Sequence, residues 1–150
     1  MSERPLDDVP AATGIVLRGV SICLFRAETV LLVKRGRAPG VGRWAPVGGH
    51  VEAEETAEAA ALRELREETG LDCRLAGICG EREIHHPDGS GLAMVLTVFA
   101  AGWIGGEPVA GDDAADARFV ALDDLEQVDL MPGVAPWIRA ARALLDGFGD

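Results

Sequence analysis

One helix bounded by glycines constrains this chain more than any other feature. From about Glu55 to Thr69 the sequence is built of Ala, Glu, Leu and Arg, all strong helix formers. Glu54 and Glu55 near its start suit the positive end of the helix dipole, and Gly70 is positioned to stop it. On a helix turning about 100° per residue, Glu64, Glu67 and Glu68 fall within an arc of roughly 100°. Leu65, Leu62, Ala61 and Thr69 occupy an adjoining face suited to burial. Like charges at these spacings repel by about 0.2–0.5 kcal/mol per pair in an isolated helix. The row of carboxylates therefore invites a cation, and hard divalent ions such as Mg²⁺ or Mn²⁺ prefer oxygen ligands. The competing reading is an ordinary solvated face, partly neutralised by Arg63 pairing with Glu67. A Gly48–Gly49 turn ahead of the helix and the glycine stop after it weigh against that reading.

The rest of the chain reads as strands and one more helix. Residues 1–12 are polar, contain Pro5 and Pro10, and read as a flexible lead-in to a single domain over residues 13–150. Gly14–Phe25 and Val30–Val33 are rich in β-branched and apolar residues, and the charged break Arg26–Thr29 between them predicts a hairpin. Lys34–Arg43, with four basic residues, three glycines and a proline, is a loop. The apolar Trp44–Val47 then leads into the glycine pair. Strands are expected within Cys73–Ile84 and over Leu92–Ala101, joined by a turn at His85–Gly91. Gly102–Ala115 reads as a loop, Arg118–Leu122 as a short strand and Asp123–Gln127 as a turn of helix. Pro136 fits the first turn of a last helix running to about Leu145. The fold class is α/β (α+β), a mixed β-sheet packed between helices.

Charge and cysteines narrow the function classes. A net charge of −11 argues against nucleic acid as a partner but permits phosphates bridged by metal. No stretch is long and apolar enough for a membrane span, and no export signal is visible, so a cytoplasmic location is expected. Cys23, Cys73 and Cys79 lack paired metal-ligand spacing and read as reduced, buried thiols.

Gly49, Glu55, Arg63, Glu64, Leu65, Glu67, Glu68, Gly70 and Leu71 together resemble the signature box of the Nudix hydrolase family. Every fixed position of that box is filled at the required spacing, and the strand–loop–helix context is also right. The resemblance implies an α/β/α sandwich with a mixed sheet. It also implies metal-assisted hydrolysis of a phosphoanhydride bond in a small nucleotide-like substrate. By it, the Gly49 carbonyl and the carboxylates of Glu64, Glu67 and Glu68 would hold Mg²⁺, for which Mn²⁺ can substitute. Arg63 would orient the glutamates, and Glu64, Glu67, Glu68 and Arg63 form the catalytic set. Gly48 and Gly49 would let the backbone turn sharply.

Beyond the box, Arg35, Arg37 and Arg43 are candidate phosphate or ribose contacts. Asp112 and Asp113 read first as a solvated turn, with a role as general base as the sharper alternative. His85 and His86 read as loop residues, and Trp44 and Trp103 as core packing. The chain resembles the small bacterial ADP-ribose pyrophosphatase-like members, which implies AMP and ribose 5-phosphate as products. The alternative is a MutT-type (8-oxo-)dNTP pyrophosphohydrolase, in which an asparagine of a Phe-Pro-x-x-Asn-like segment reads the purine. Here Met131–Ala135 puts Ala135 at that position, and the whole chain contains no Asn. A catalytically silent ligand sensor or interaction module is a third reading, opposed by the intact acidic set. A homodimer is compatible with the resemblance, although no segment carries a decisive interface pattern.

Overall fold

A computed structural model describes residues 15–37, 40–111 and 113–148. The expected lead-in, Gly14 and Asp112 lie outside the described residues. The elements run β1 (Leu17–Arg26), β2 (Thr29–Arg35), β3 (Trp44–Ala45), β4 (Val47–His50), α1 (Ala57–Thr69), β5 (Cys73–His85), β6 (Leu92–Trp103), β7 (Ala114–Ala121), a short 3-10 turn (Leu122–Gln127) and α2 (Val134–Phe148). The seven strands form one mixed sheet, ordered β3-β2-β1-β6-β5, with β4 on β1 and β7 on β2. Among the described strands, β1 and β6 are the one parallel pair, from Leu17 opposite Met94 to Phe25 opposite Gly102, and Trp44 adds an isolated parallel bridge to Leu130.

The sheet buries both faces, which explains its near-continuous apolar strands. Val20, Ile22 and Leu24 of β1 enter one core with Leu31, Phe99 and the α1 residues Ala61 and Leu65. The alternate residues Cys23 and Phe25 enter a second core with Val30, Leu32, Val98 and the α2 residues Ile138 and Ala141. One helix therefore covers each face, as the α/β/α expectation requires. Among the described residues, no helix is long and apolar enough to cross a membrane.

Several expected boundaries move. The β1–β2 turn is only Ala27–Glu28, since Arg26 and Thr29 are paired strand residues and Ala27 takes the left-handed conformation with φ +50°. Helix α1 starts later than Glu55, because the Thr56 hydroxyl accepts from the Ala59 N–H at 3.0 Å and caps it. Gly70 ends it at φ +76°, as expected. Leu62 stays outside the core, leaving Ala61, Leu65 and Thr69 as the buried stripe. Strand β7 begins at Ala114, not Arg118, because its pairing with β2 extends from Ala121 opposite Thr29 to Ala114 opposite Arg35. Helix α2 runs from Val134 to Phe148, with Pro136 still in its first turn. All three cysteines are free, but only Cys23 is fully buried. Trp103 is not core. It is 37% exposed, donates to the Gly106 carbonyl at 2.8 Å, and faces Arg26 across 5.2 Å.

Strand β5 pairs with β6 through three register shifts. Such irregularities twist the outer edge away from flat pairing with another strand. On the α2 side, Ile138 is fully buried and is the anchor of that layer. Ile138→Ala is expected to cost about 2–5 kcal/mol of unfolding free energy, measured by urea denaturation. A cost below about 1 kcal/mol would show that this residue does not clamp α2.

Candidate functional site

The carboxylate site begins where α1 packs on β4. Gly48 and Gly49 do not form the expected sharp turn. They are strand residues paired with Ser21 and Val20, and neither takes a positive φ. What demands glycine at position 49 is the helix. A Cβ there would lie 2.1 Å from the Glu64 carboxyl carbon and 2.3 and 2.5 Å from its oxygens. Glu64 fills that space and is only 6% exposed, so it does not sit on the polar face expected from its spacing. A buried carboxylate needs partners, and Arg63 supplies one.

The Arg63 guanidinium joins the site together. Its Nη1 donates to Glu64 Oε2 at 2.8 Å and to Glu67 Oε2 at 3.4 Å. Its Nε and Nη2 grip both oxygens of Glu55, at 2.7 and 2.9 Å, and Nη2 also donates to the His50 carbonyl at 2.9 Å. Glu55 in turn accepts the Glu52 N–H at 2.9 Å. The hydrogen bonds from Arg63 hold the Glu55 carboxyl below the usual carboxylate range. A fork of fixed donors can do this where a lysine ammonium cannot.

Glu68 stands one turn beyond Glu64 and shares a hydrogen bond with it. Burial first, then that hydrogen bond and the charges of Glu64, Asp113 and Glu67, push the Glu68 carboxyl far above the usual range. Asp113 arrives on a loop that docks onto the last turn of α1. The Val109 and Gly111 N–H groups donate to the Thr69 and Glu68 carbonyls at 2.9 and 2.8 Å. Position 111 must be glycine for this approach, since a Cβ there would lie 2.4 Å from the Glu67 carbonyl oxygen. Local spacing gave no sign of this contact.

Carboxylates crowded this closely are all ionised only if a cation joins them. The donors are all oxygens, and the Gly49 cradle keeps side-chain bulk away, so the residues fit a hard divalent ion such as Mg²⁺ or Mn²⁺. Among the described residues, no three His, Cys, Asp or Glu side chains already close on one metal position. Glu64 and Glu68 are the facing pair, whereas the Glu67 side chain is 51% exposed beside Arg63.

A cavity of about 420 Å³ opens on the other face of the sheet, beside Pro46 and Ser21, the partner of Gly48. Its wall is mostly apolar and includes Ser21 and Cys23 of β1, Leu96 and Val98 of β6, and Trp137 of α2. The three candidate arginines separate here. Arg35 lines the cavity. Arg37 lies 3.5 Å from Asp113, and Arg43 lies 3.7 Å from Asp129. Trp44 is half-buried against the second core, with Arg118 over its ring at 5.2 Å, and His86 is 8% exposed. The sequence reading missed Arg82 and Trp137, which stand in the cavity wall.

The NUDIX domain family profile matches residues 16–141. The ADP-ribose pyrophosphatase of Methanocaldococcus jannaschii is 40% identical over 99 residues, which is 66% of this chain and 58% of that protein. The chain thus spans little more than half the length of that relative. The putative 8-oxo-dGTP diphosphatase 2 of Mycobacterium tuberculosis is 35% identical over 133 residues, covering 85% of this chain and 89% of that one. Among solved structures, a MutT NUDIX hydrolase from Burkholderia pseudomallei superposes with a TM-score of 0.70 at 27% identity, covering 84% and 98% of the two chains. A bifunctional NMN adenylyltransferase/ADP ribose pyrophosphatase from Francisella tularensis, complexed with AMP and a manganese ion, gives 0.66 at 27% identity, covering 90% and 42%.

Two outcomes are expected from this geometry. Because the folded site holds a proton on Glu68 more tightly than the unfolded chain does, its contribution to stability is complete at acid pH and is lost as pH rises through the folded value. A divalent ion replaces that proton, so millimolar Mg²⁺ should raise Tm more at alkaline than at mildly acidic pH. A pH-independent increment would separate Glu68 from the cation. Gly49→Ala should abolish the Mg²⁺-dependent rise in Tm by displacing Glu64, as read by the same thermal melts.

Proposed function

The chain belongs to the Nudix hydrolase family, and from that premise we propose that it hydrolyses the pyrophosphate bond of a nucleoside diphosphate linked to a second moiety. ADP-ribose is the foremost substrate, giving AMP and ribose 5-phosphate. The observation that carries this reading is Glu64, held by Arg63 beside the bare backbone of Gly49, with Glu68 interacting with it from the next turn of the helix. The Methanocaldococcus relative, named an ADP-ribose pyrophosphatase, supports the choice of substrate. So does the lack of an amide at position 135, which leaves the purine-reading asparagine of the MutT-type branch without a counterpart.

A bound Mg²⁺ or Mn²⁺ would neutralise phosphate oxygens and lower the pKa of the attacking water. Glu64 and Glu68 would hold it with the Gly49 carbonyl, and Glu67 would assist. Arg63 orients Glu64, since its guanidinium bonds Glu64, Glu55 and the His50 carbonyl together. Two carboxylates would take the proton given up by the water: Glu68, once the cation has displaced its own proton, and Asp113, whose charge acts on Glu68. Arg37 can exchange its carboxylate partner Asp113 for a substrate phosphate. Arg35 would serve the nucleoside half in the cavity, whereas Arg43, beside Asp129, is the weakest of the three candidates.

A second reading, (8-oxo-)dNTP pyrophosphohydrolase, is favoured by one specific observation. The Mycobacterium tuberculosis relative matches across nearly its whole length, further than the ADP-ribose relative does. A panel of ADP-ribose, NADH, diadenosine polyphosphates, nucleotide sugars and 8-oxo-dGTP, scored by kcat/KM with Mg²⁺, separates the two. The highest value is expected for ADP-ribose, and a clear preference for 8-oxo-dGTP would reverse the assignment. Inactivity across the panel would favour a ligand sensor. Glu64→Gln and Glu68→Gln should each lower kcat by roughly a hundredfold or more while circular dichroism stays unchanged. EDTA should abolish turnover and Mg²⁺ restore it, and metal-independent turnover would exclude the mechanism.

A further inference from the structure

Among the described residues the cavity wall carries two permanent cations, Arg35 and Arg82, and no carboxylate. It also carries the imidazole of His85, which is the last residue of β5 rather than a loop residue. Arg82 reaches it from β5, on the same face of the strand as Gly80 and Ile84. Its Nη2 donates to the Pro132 carbonyl at 2.8 Å. The guanidinium also lies along the bend that leads into α2. Gly133, with φ +81°, lies against it, and a Cβ there, 2.9 Å from Nη2 and 3.6 Å from Cζ, would push the guanidinium aside. That single hydrogen bond is the one interaction Arg82 makes among the described residues. A guanidinium offers five donors and no acceptor, so most of its hydrogen-bonding capacity is left for a ligand. Half-buried donors beside apolar walls gain from a ligand that supplies acceptors. Trp137 shapes the same part of the cavity, its ring edge 3.4 Å from the Cβ position of Gly80.

We propose that Arg82 is a specificity-determining residue that donates hydrogen bonds to acceptor atoms on the edge of a nucleobase seated in this cavity beside Trp137. The inference rests on the reading that the cavity takes the nucleoside half of the substrate. Arg82 then fills the role that Ala135 cannot, but with a different rule. An amide donates and accepts, whereas a guanidinium only donates. Ring nitrogens and carbonyl oxygens are selected at that edge; adenine meets the rule through a ring nitrogen with its exocyclic amine turned away from the guanidinium. The bond to Pro132 holds the guanidinium in register with the wall, so the base is read by a group fixed before the ligand arrives.

Calorimetric titration of AMP, GMP, CMP, UMP and ribose 5-phosphate into the Mg²⁺-supplemented protein tests this. In the wild type, the tightest nucleotide is expected to bind about tenfold or more tightly than ribose 5-phosphate. Arg82→Met should remove most of that ratio and leave ribose 5-phosphate affinity within about twofold. Arg82→Lys keeps a charge but loses the fork, and should lose about threefold or more on the nucleotide alone. It carries the test if the Met variant fails to fold. Equal weakening of nucleotide and ribose 5-phosphate, or an unchanged ratio, would overturn the role of Arg82 while leaving the cavity reading intact. A wild type that gains nothing from any base would overturn the cavity reading itself, and Arg82's role with it.

Discussion

Strand β1 gives one of its edges to two partners in succession, and the working parts of the molecule depend on that division. Phe25 and Arg26 pair with β2, while Gly19 to Ile22 pair with β4. The two partners must therefore part company along β1. On one face, β4 presents Gly49 to α1, and Glu64 settles on the bare backbone. On the other face, Ser21 and Cys23 border a cavity that extends to Arg35 of β2 and Ala45 of β3. The carboxylates and the cavity are thus two consequences of one branching in the hydrogen-bond ladder, and their relative position is fixed by the sheet rather than by mobile loops.

Electrostatics then decides what the site holds. Arg63 supplies one positive charge to Glu55, Glu64 and Glu67, so the set remains short of cations even when every donor of the guanidinium is used. The shortage falls on Glu68, whose carboxyl is pushed well above the usual range by burial and by its acidic neighbours. A structural ion-pair cluster would be expected to balance its charges, whereas this one leaves a deficit beside a backbone position that no side chain can enter. The acidic overall balance of −11 makes that deficit harder to satisfy from elsewhere in the molecule.

Much of this was legible from spacing alone. The carboxylate row, the glycine stop at Gly70 and the layered fold follow from periodicity, helix-forming composition and near-continuous apolar strands. Spacing failed where a contact crosses between elements. Glu64 looks solvent-facing on a helical wheel, yet β4 covers it. Gly48 and Gly49 look like a turn, yet they pair as strand, and the need for glycine at position 49 comes from Glu64 of the following helix. Arg82 and Trp137 lie on β5 and α2 and meet only in three dimensions. Gly111 has no local signature either, since its constraint is the Glu67 carbonyl.

The docking of the Val109–Gly111 backbone on the end of α1 ties two segments into one cooperative unit. Those N–H groups satisfy carbonyls that a helix terminus otherwise surrenders to water. Lifting the loop therefore frays the turn that carries Glu68, and fraying that turn releases the loop and Asp113 with it. The order of the loop and the order of the Glu68 turn are one equilibrium. Substrate that holds the loop down would tighten the helix end, and an emptied site would loosen both together.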